Sequence, residues 1–322
     1  MLAEKKLLHN YVPVTPVSGI DLGLSPRLNI IAKWESYNLT GSVKDRAAFY
    51  IIPYLKNTGI INEHTEVIES SSGNFGISLS CASNYYNVKF TCVIDPKILS
   101  LNEKLLRLYK NTRLVKVKAC DEYGGYLKAR LKTIEDIMAD NGNCYWINQY
   151  GSPLVVEAYR NTLGEEIAGA FANIDYIFIG VSSCGTIAGV SQKIKEKFRN
   201  AKVIAVDVTG SAINQGVQAN RYLTGIGSSI IPENLSRAVI DEFQVVSELE
   251  SIMMCRFILK EYSTLIGGSA GAVLSAVQKY FENFDSREKK TIVAILPDSG
   301  ERYIDTIYND KWVFENYGHV FE

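Results

Sequence analysis

The chain has 322 residues, of which 47% are hydrophobic and 21% are charged, a composition typical of globular proteins that excludes disordered and fibrous classes. Its 34 basic and 35 acidic residues give a formal net charge of −1, so no excess of positive charge favours a nucleic acid as partner. The first residues lack the apolar core of a signal peptide and no run of ~20 apolar residues occurs, so we expect a cytoplasmic protein without membrane contact.

Short apolar runs alternate with longer amphipathic stretches along the chain. The runs predict strands at residues 28–35, 66–69, 89–95, 113–118, 144–148, 176–181, 202–208 and 291–297. The stretches predict helices at residues 43–57, 74–86, 102–110, 123–140, 153–170, 186–198, 247–262 and 271–284. This alternation is typical of α/β proteins with parallel sheets covered on both faces, and the length fits two such sheets.

Three turns rich in glycine and serine open predicted helices, at residues 70–76, 180–186 and 266–271. Such a turn presents several backbone N–H groups with a helix dipole behind them, which suits an anion. A tight turn without a ligand is the simpler interpretation of any single one. Three in one chain favour a ligand.

Lys44 stands just after Gly-Ser-Val, at the start of the predicted helix 43–57. The helix dipole and the neighbouring Arg46 disfavour a protonated amine there, which predicts a lowered pKa and Schiff-base chemistry. A solvated lysine in a first helical turn is the alternative.

Metal and triad chemistry is not expected. The chain has six cysteines without a C-x-x-C pair and only three histidines, which argues against a zinc cluster and against a catalytic triad. Each cysteine is expected to be a small buried apolar residue; they are Cys81, Cys92, Cys120, Cys144, Cys184 and Cys255.

Four segments in order resemble the fold type II enzymes of pyridoxal 5′-phosphate, specifically the cysteine synthase and cystathionine β-synthase group. They are NLTGSVKDR at 38–46, ESSSGNFGIS at 69–78, GVSSCGT at 180–186 and LPDSGERY at 296–303. The resemblance implies a fold like that of the tryptophan synthase β subunit, with the active site between two α/β domains. A large cofactor-binding domain would comprise residues 1–40 and 150–322, and a small mobile substrate domain residues 41–149. A homodimer is also implied.

The same resemblance implies the cofactor contacts. Lys44 would bind the cofactor as a Schiff base, Asn74 would contact its 3′-oxygen, and Ser299 would meet the pyridine nitrogen. The phosphate would lie on Ser182, Ser183, Cys184, Gly185 and Thr186, and the motif Gly225-Ile226-Gly227 would lie at the cofactor's edge. A neutral serine at the pyridine nitrogen makes a mild electron sink, which suits β-elimination with Lys44 as general base.

The resemblance also implies the substrate contacts. The α-carboxylate would be held by Ser71, Ser72, Gly73, Asn74 and Gln149. The motifs depart from those of cysteine synthases, because Ser182 and Cys184 replace glycines, Phe75 replaces a threonine and Tyr150 replaces a phenylalanine. Sulfide is therefore not the obvious second substrate. Ser182 and Tyr150 become candidates for binding that substrate, unless Ser182 only caps the phosphate and Tyr150 only packs.

Further stretches, among them CVIDPKI, EYGGYLKAR, YWINQY and DTIYNDKW, are most similar to synthases that join O-phospho-L-serine and L-glutamate. Their product is N-(2-amino-2-carboxyethyl)-L-glutamate, formed with release of phosphate through an aminoacrylate. An NAD-dependent dehydrogenase, the expected pathway partner, would cleave it to 2,3-diaminopropionate for siderophore or antibiotic biosynthesis.

Arg130 belongs to the EYGGYLKAR stretch and would hold a phosphate or carboxylate through two parallel N–H bonds. Lys128 and Lys132 flank it at spacings typical of an exposed helix face, so an exposed arginine without a ligand is the alternative.

Other functions stay open at this point. The chain is also compatible with an O-phosphoserine or O-acetylserine sulfhydrylase, that is, a cysteine synthase, and with use of a different amine. A binding protein that regulates a partner, or a dehydratase or deaminase of the same fold, completes the alternatives. Turnover with sulfide and with glutamate would separate the first from the proposed synthase.

Overall fold

In a computed structural model of the chain, residues 13–120, 125–215 and 220–320 are described. The strands are β1 Val17–Gly19, β2 Leu28–Trp34, β3 Glu66–Ser70, β4 Lys89–Ile94, β5 Thr112–Lys116, β6 Cys144–Trp146, β7 Tyr176–Gly180, β8 Lys202–Val208, β9 Glu242–Val246 and β10 Lys290–Leu296. The helices are α1 Lys44–Asn57, α2 Asn74–Tyr86, α3 Ser100–Leu108, α4 Leu127–Asp140, α5 Pro153–Tyr159, α6 Glu165–Ala170, α7 Gly185–Lys197, α8 Ala212–Gln215, α9 Glu248–Tyr262, α10 Gly268–Tyr280 and α11 Asp310–Tyr317.

The strands form two sheets. One has six strands in the order β1-β2-β10-β7-β8-β9, and the other has four in the order β5-β4-β3-β6. Every pairing is parallel except that of β1 with β2. The predicted α/β class with two sheets is confirmed, as is the fold type II architecture.

All the predicted strands and helices are present within a few residues of their expected ends. Two edge strands were missed, β1 because it has only three residues and β9 because its residues are mostly half-buried and give no apolar run. The helix expected at 153–170 is interrupted by a wide turn at Arg160–Gly164, and residues 123–124 of the helix expected at 123–140 lie outside the described residues.

Helices α5 and α7 pack closely enough for their backbones to approach each other at a glycine. A Cβ on Gly189 of α7 would lie 2.4 Å from the carbonyl oxygen of Val156 in α5. Any side chain at that position would therefore push the two helices apart. This contact fixes α7, whose first residues border the site.

A cluster of buried and partly buried polar and charged residues joins β2 to α1 and α6, and we call it the sealed cluster: Thr15, Lys33, Glu35, Arg46 and Glu166. Arg46 Nη2 donates to Glu35 Oε1 at 2.8 Å and to Thr15 Oγ1 at 3.2 Å, and its Nη1 lies 2.8 Å from Glu166 Oε2. Lys33 donates to Glu166 and to Thr15. Each charged group of the cluster thus has an opposite charge beside it.

The expected burial of the cysteines is confirmed for Cys92, Cys184 and Cys255, but the prediction is wrong for Cys120, which is exposed because it follows β5 in a surface segment. Among the described residues, no group of three or more His, Cys, Asp or Glu side chains could hold a metal ion. None of the helices in the described ranges is long and apolar enough to span a bilayer.

Candidate active site

A cavity of about 330 Å³ lies where residues after the strands of both sheets meet. The residues that follow β3 and those that follow β7 line it together. Helices α2, α7 and α10 begin near it, at the three glycine- and serine-rich turns singled out from the sequence. The carboxyl ends of parallel strands are the usual ligand-binding edge of such sheets, and this volume is in the range of small-molecule sites.

Lys44 lines the cavity from the first turn of α1, and its Nζ lies 3.4 Å from Ser183 Oγ. Burial lowers the pKa of Lys44 to about 8, although Cys184, Asp298 and Glu69 act in the opposite direction. The lowered pKa agrees with the sequence prediction, but its largest cause is burial, which the sequence did not predict. Arg46 is held by Glu35 and Glu166 in the sealed cluster and is not among the groups that shift Lys44.

The segment 182–186 forms a tight turn into α7. Cys184 has a left-handed backbone conformation with φ +59° directly before Gly185, the first residue of the helix. Such a turn aims the free N–H groups of the first helical turn at one point, which suits a phosphate. Ser182, Ser183, Cys184 and Thr186 line the cavity. Gly185 is not among the described lining residues, because it faces Val155, whose Cγ1 lies 2.6 Å from the position of an added Cβ.

The segment 70–74 leads from β3 into α2 on the other side of the cavity. The hydroxyl of Ser71 accepts a bond from the backbone N–H of Gly76 at 2.9 Å, so this side chain fixes the start of α2. Ser71, Ser72, Gly73, Asn74 and Gln149 all line the cavity. Gln149 Nε2 donates to the carbonyl oxygen of Ser70 at 2.9 Å, which ties the two loops together.

Glu69 lies beneath this loop and is fully buried. Its two carboxylate oxygens accept the backbone N–H groups of Ser70 at 2.7 Å and Gln149 at 3.0 Å. Burial raises the pKa of Glu69 to about 7 against these bonds. Glu69 was not singled out from the sequence, where it reads only as the end of a strand.

Asn74 and Ser269 meet at the buried carboxylate of Asp298. Asn74 Nδ2 donates to Asp298 Oδ2 at 2.7 Å, Ser269 Oγ donates to Asp298 Oδ1 at 3.1 Å, and Tyr303 donates to the same carboxylate. Asn74, Ser269 and Tyr303 line the cavity. The carboxylate therefore orients three cavity side chains at once.

Ser299, expected at the pyridine nitrogen, is not among the described residues that line the cavity. Its backbone pairs with Ile266, and its Oγ faces Gly41, 3.5 Å from the position of an added Cβ. The expected contact of Ser299 therefore finds no support in this arrangement, and Ser269 stands on the cavity wall instead. The turn at residues 266–271 carried the signal for Ser269, but sequence reasoning gave that turn no specific role.

Arg130 lines the cavity from α4, and its side chain is only 13% exposed. Its Nη1 lies 3.2 Å from Ser72 Oγ and 3.4 Å from Asp95 Oδ2. The alternative of an exposed helix-face arginine is thus wrong, although Lys128 and Lys132 beside it are exposed. Residues 121–124 of the EYGGYLKAR stretch lie outside the described residues.

Tyr150 and Arg221 complete this part of the wall. Burial raises the pKa of the Tyr150 hydroxyl, and Arg130 and Arg221 are both close enough to act against that rise. Arg221 was missed from the sequence, because it lies in an irregular segment without a periodic pattern. Of the motif at residues 225–227, Gly225 and Gly227 line the cavity with φ of +88° and +69°, and Ser182 Oγ donates to the carbonyl oxygen of Gly227 at 3.0 Å.

Comparisons with known proteins agree with this geometry. A family model described as "Pyridoxal-phosphate dependent enzyme" matches residues 9–298. The O-acetylserine-dependent cystathionine β-synthase of Helicobacter pylori has a TM-score of 0.85 at 27% identity, covering 93% of this chain and 97% of its own. Cysteine synthase of Entamoeba histolytica has a TM-score of 0.84 at 27% identity, covering 95% of this chain and 92% of its own. O-ureido-L-serine synthase has a TM-score of 0.85 at 24% identity, covering 96% of this chain and 94% of its own. This last similarity supports the fold alone.

Proposed function

Because the chain belongs to the family of pyridoxal-phosphate-dependent enzymes, we propose that it exchanges the β-substituent of an amino acid for an amine. The proposed reaction joins O-phospho-L-serine and L-glutamate to N-(2-amino-2-carboxyethyl)-L-glutamate and releases phosphate. Two structural relatives are named as a cysteine synthase and an O-acetylserine-dependent cystathionine β-synthase. Their likeness to this chain supports a β-replacement.

The residues around the cavity fit pyridoxal phosphate. Lys44 offers an amine for a Schiff base, and the turn at 182–186 offers N–H groups for the phosphate at the start of α7. Polar groups held in fixed orientations by Asp298 also line the cavity, on Asn74, Ser269 and Tyr303. When bound, the cofactor supplies an electron sink that makes the α-proton of an amino acid acidic enough to leave.

Lys44 is the group that would move this proton. With a pKa of about 8, its neutral fraction at pH 7 is roughly a few hundred times that of an ordinary lysine. A neutral amine beside the α-carbon accepts the proton and can return it later. Ser183, 3.4 Å from Nζ, helps to orient the amine.

The loop at residues 71–74 would hold the α-carboxylate of the first substrate. It presents the N-terminus of α2 and its hydroxyl groups to the cavity, and a carboxylate is favoured at a helix N-terminus. Gln149 holds this loop through the carbonyl of Ser70. These residues therefore bind and orient an amino acid over Lys44.

The observation that carries the choice of an anionic substrate is the buried guanidinium of Arg130 in the cavity. Its Nε is buried and has no hydrogen-bond partner among the described residues. A buried donor without a partner is unfavourable, and a phosphate or carboxylate would satisfy it through two parallel bonds. Sulfide has a single heavy atom and lacks the two oxygens that accept such paired bonds.

Tyr150 and Ser182 would contact the incoming glutamate. Since its pKa is raised, the Tyr150 hydroxyl stays protonated and donates a hydrogen bond. Ser182 already donates to Gly227, so its oxygen is left to accept a bond from the incoming amine. Neither hydroxyl group is acidic enough to protonate that amine.

The test supplies O-phosphoserine to the cofactor-loaded enzyme together with glutamate, other amino acids or sulfide. We expect phosphate release that depends on glutamate and a product with the mass of the condensed amino acids. Arg130→Lys should raise one substrate's KM roughly tenfold through loss of the paired bonds, whereas Lys128→Ala in the same helix should not.

Faster consumption of sulfide than of any amino acid, or use of O-acetylserine in place of O-phosphoserine, would contradict the proposal. The first result would identify a cysteine synthase instead, and the second would make acetate rather than phosphate the leaving group. An unchanged KM for both substrates in Arg130→Lys would remove Arg130 from the substrate site.

A further inference from the structure

We propose that Arg221 is a second anion-binding residue of the cavity and that, with Arg130, it selects an incoming amino acid that carries two carboxylates. The inference rests on the proposed β-replacement and assigns the substrate class that its second step accepts. Arg130 reaches the cavity from α4, whereas Arg221 reaches it from the segment between α8 and Gly225. The two guanidinium groups therefore belong to different parts of the fold.

Arg221 is fixed at one end only. Its Nη1 donates to the carbonyl oxygen of Ile226 at 2.9 Å, while its Nε is buried without a hydrogen-bond partner among the described residues. A Cβ added to Gly227 would lie beside the guanidinium, so glycine at this position leaves room for it. The side chain is thus held in place at the cavity wall, and its Nε–H remains available to donate to a ligand.

Two carboxylates, those of Glu248 and Asp207, act on Arg221 electrostatically. Both already accept hydrogen bonds from other groups. Glu248 accepts the backbone N–H groups of Tyr222 and Leu223, at 3.0 and 2.8 Å, and the hydroxyl of Tyr317 at 2.8 Å.

Asp207 likewise accepts backbone N–H groups, from Val208 at 2.9 Å and Asn214 at 3.3 Å. Neither carboxylate forms an ion pair with Arg221 among the described contacts. A largely buried guanidinium without a close counter-charge is unfavourable, and a bound carboxylate would supply that charge.

Tyr150 lines the same cavity as the two arginines, and both act electrostatically on its hydroxyl. Asn102 lines the same cavity, and its buried Oδ1 also lacks a partner in the described part of the chain. Unpartnered donors and an unpartnered acceptor together suit a ligand with two carboxylates and an amino group. Arg130 already lies beside Asp95, so a ligand with one carboxylate would leave Arg221 without a close counter-charge. A buried polar group left unpaired in this way is how a site rejects an analogue.

Calorimetry with the cofactor-loaded enzyme tests this without turnover. The probes are glutarate and valerate, five-carbon acids with two and one carboxylates. We expect wild-type enzyme to bind glutarate on the order of tenfold more tightly than valerate, and Arg221→Gln to bring the ratio near one. Arg221→Lys should restore part of the preference because it keeps the charge. Arg199→Gln, an exposed arginine beyond the far end of α7, is the matched control.

Turnover then compares glutamate with glutamine as the incoming amine. Arg221→Gln should raise the KM for glutamate roughly tenfold, leave that for glutamine and for O-phosphoserine unchanged, and so remove the discrimination. If Arg221 only supports the loop through Ile226, binding of both acids and turnover of both amines will fall alike, which would overturn the inference. If glutamate is not a substrate of the wild type, the proposed reaction fails, but the glutarate-to-valerate ratio still decides the role of Arg221.

Discussion

The sealed cluster and the cavity both hold buried arginines, yet their surroundings are opposite. Arg46 contacts Glu35, Glu166 and Thr15. Burial by itself would lower the pKa of Arg46, but the two carboxylates raise it above its usual range. Burial lowers the pKa of Arg221, because Glu248 and Asp207 offset that effect only in part.

The difference separates two uses of buried charge. In the sealed cluster the protein supplies every counter-charge itself, so the charges hold β2, α1 and α6 together. In the cavity the counter-charges are incomplete, and the Nε atoms of Arg130 and Arg221 lack hydrogen-bond partners within the described part of the chain. Charges that the fold leaves unpaired are therefore better candidates for ligand contacts than charges that are merely buried.

The largest effect on activity should come from removing the cavity amine. Lys44→Ala is expected to abolish turnover, because it removes the cavity amine whose pKa is lowered to about 8. The free energy of unfolding of this variant should stay within about 1 kcal/mol of wild type, since the side chain of Lys44 makes one long hydrogen bond among the described contacts. Steady-state assays and urea unfolding measure the two quantities, with Lys311→Ala, 82% exposed, as control. Normal turnover in Lys44→Ala would remove the assignment.

The sealed cluster should show the reverse pattern. Arg46→Met leaves two buried carboxylates without their guanidinium, which is expected to lower the free energy of unfolding by about 3–5 kcal/mol. Arg107→Met breaks an ion pair in which Arg107 is 63% exposed and should cost about 0.5 kcal/mol or less. Urea unfolding compares them. Equal stability of the two variants would mean that the cluster is not what holds α1 to β2.

A third experiment uses pH to read the cavity amine directly. Only a neutral lysine attacks an aldehyde, and the pKa of Lys44 is lowered to about 8. Cofactor capture by the cofactor-free protein should therefore accelerate roughly tenfold between pH 7 and pH 9 and level off above that. Stopped-flow absorbance follows the capture. A rate that keeps rising towards pH 10.5 would show an ordinary, solvated lysine.

The smallest expected effect concerns one neutral hydrogen bond in the cavity. Tyr150→Phe should raise the KM for glutamate by roughly two- to tenfold, which corresponds to about 0.5–1.5 kcal/mol, and leave the KM for O-phosphoserine unchanged. Tyr37→Phe, on an exposed tyrosine, is the control in the same assay. An equal change for both substrates would mean that Tyr150 only packs.

Sequence patterns predicted the fold well because helical and strand periodicity recur wherever one face is buried. The loops at 71–74 and 182–186 were found because each joins a strand to a helix and matches a family motif, and Lys44 was found because it begins a helix directly after Gly-Ser-Val. The contact of Ser299 with the pyridine nitrogen stays a prediction, since Ser299 is not among the described residues that line the cavity and a motif does not tell which side chain of a turn faces inward. Arg46 meets Glu166, 120 residues away in sequence, whereas Arg221 bonds only to the nearby carbonyl of Ile226 among the described contacts. A local sequence pattern does not show which arginine has a distant carboxylate beside it.

The pairing of β2 with β10 has a consequence for synthesis on the ribosome. Residues 28–34 lie in register beside residues 290–296, so β2 must wait for about 260 residues of further chain before its parallel neighbour exists. The four-stranded sheet spans only residues 66–146 and can close long before that.

Pairings so far apart in sequence form slowly, and an unpaired strand is prone to aggregate. The central strand of the large sheet, β10, is thus among the last parts of the chain to be synthesised. Lys44 and the turn at 182–186 reach their final distance from each other only after β10 has paired. The nascent chain should therefore acquire the ability to bind its cofactor in one late step rather than gradually.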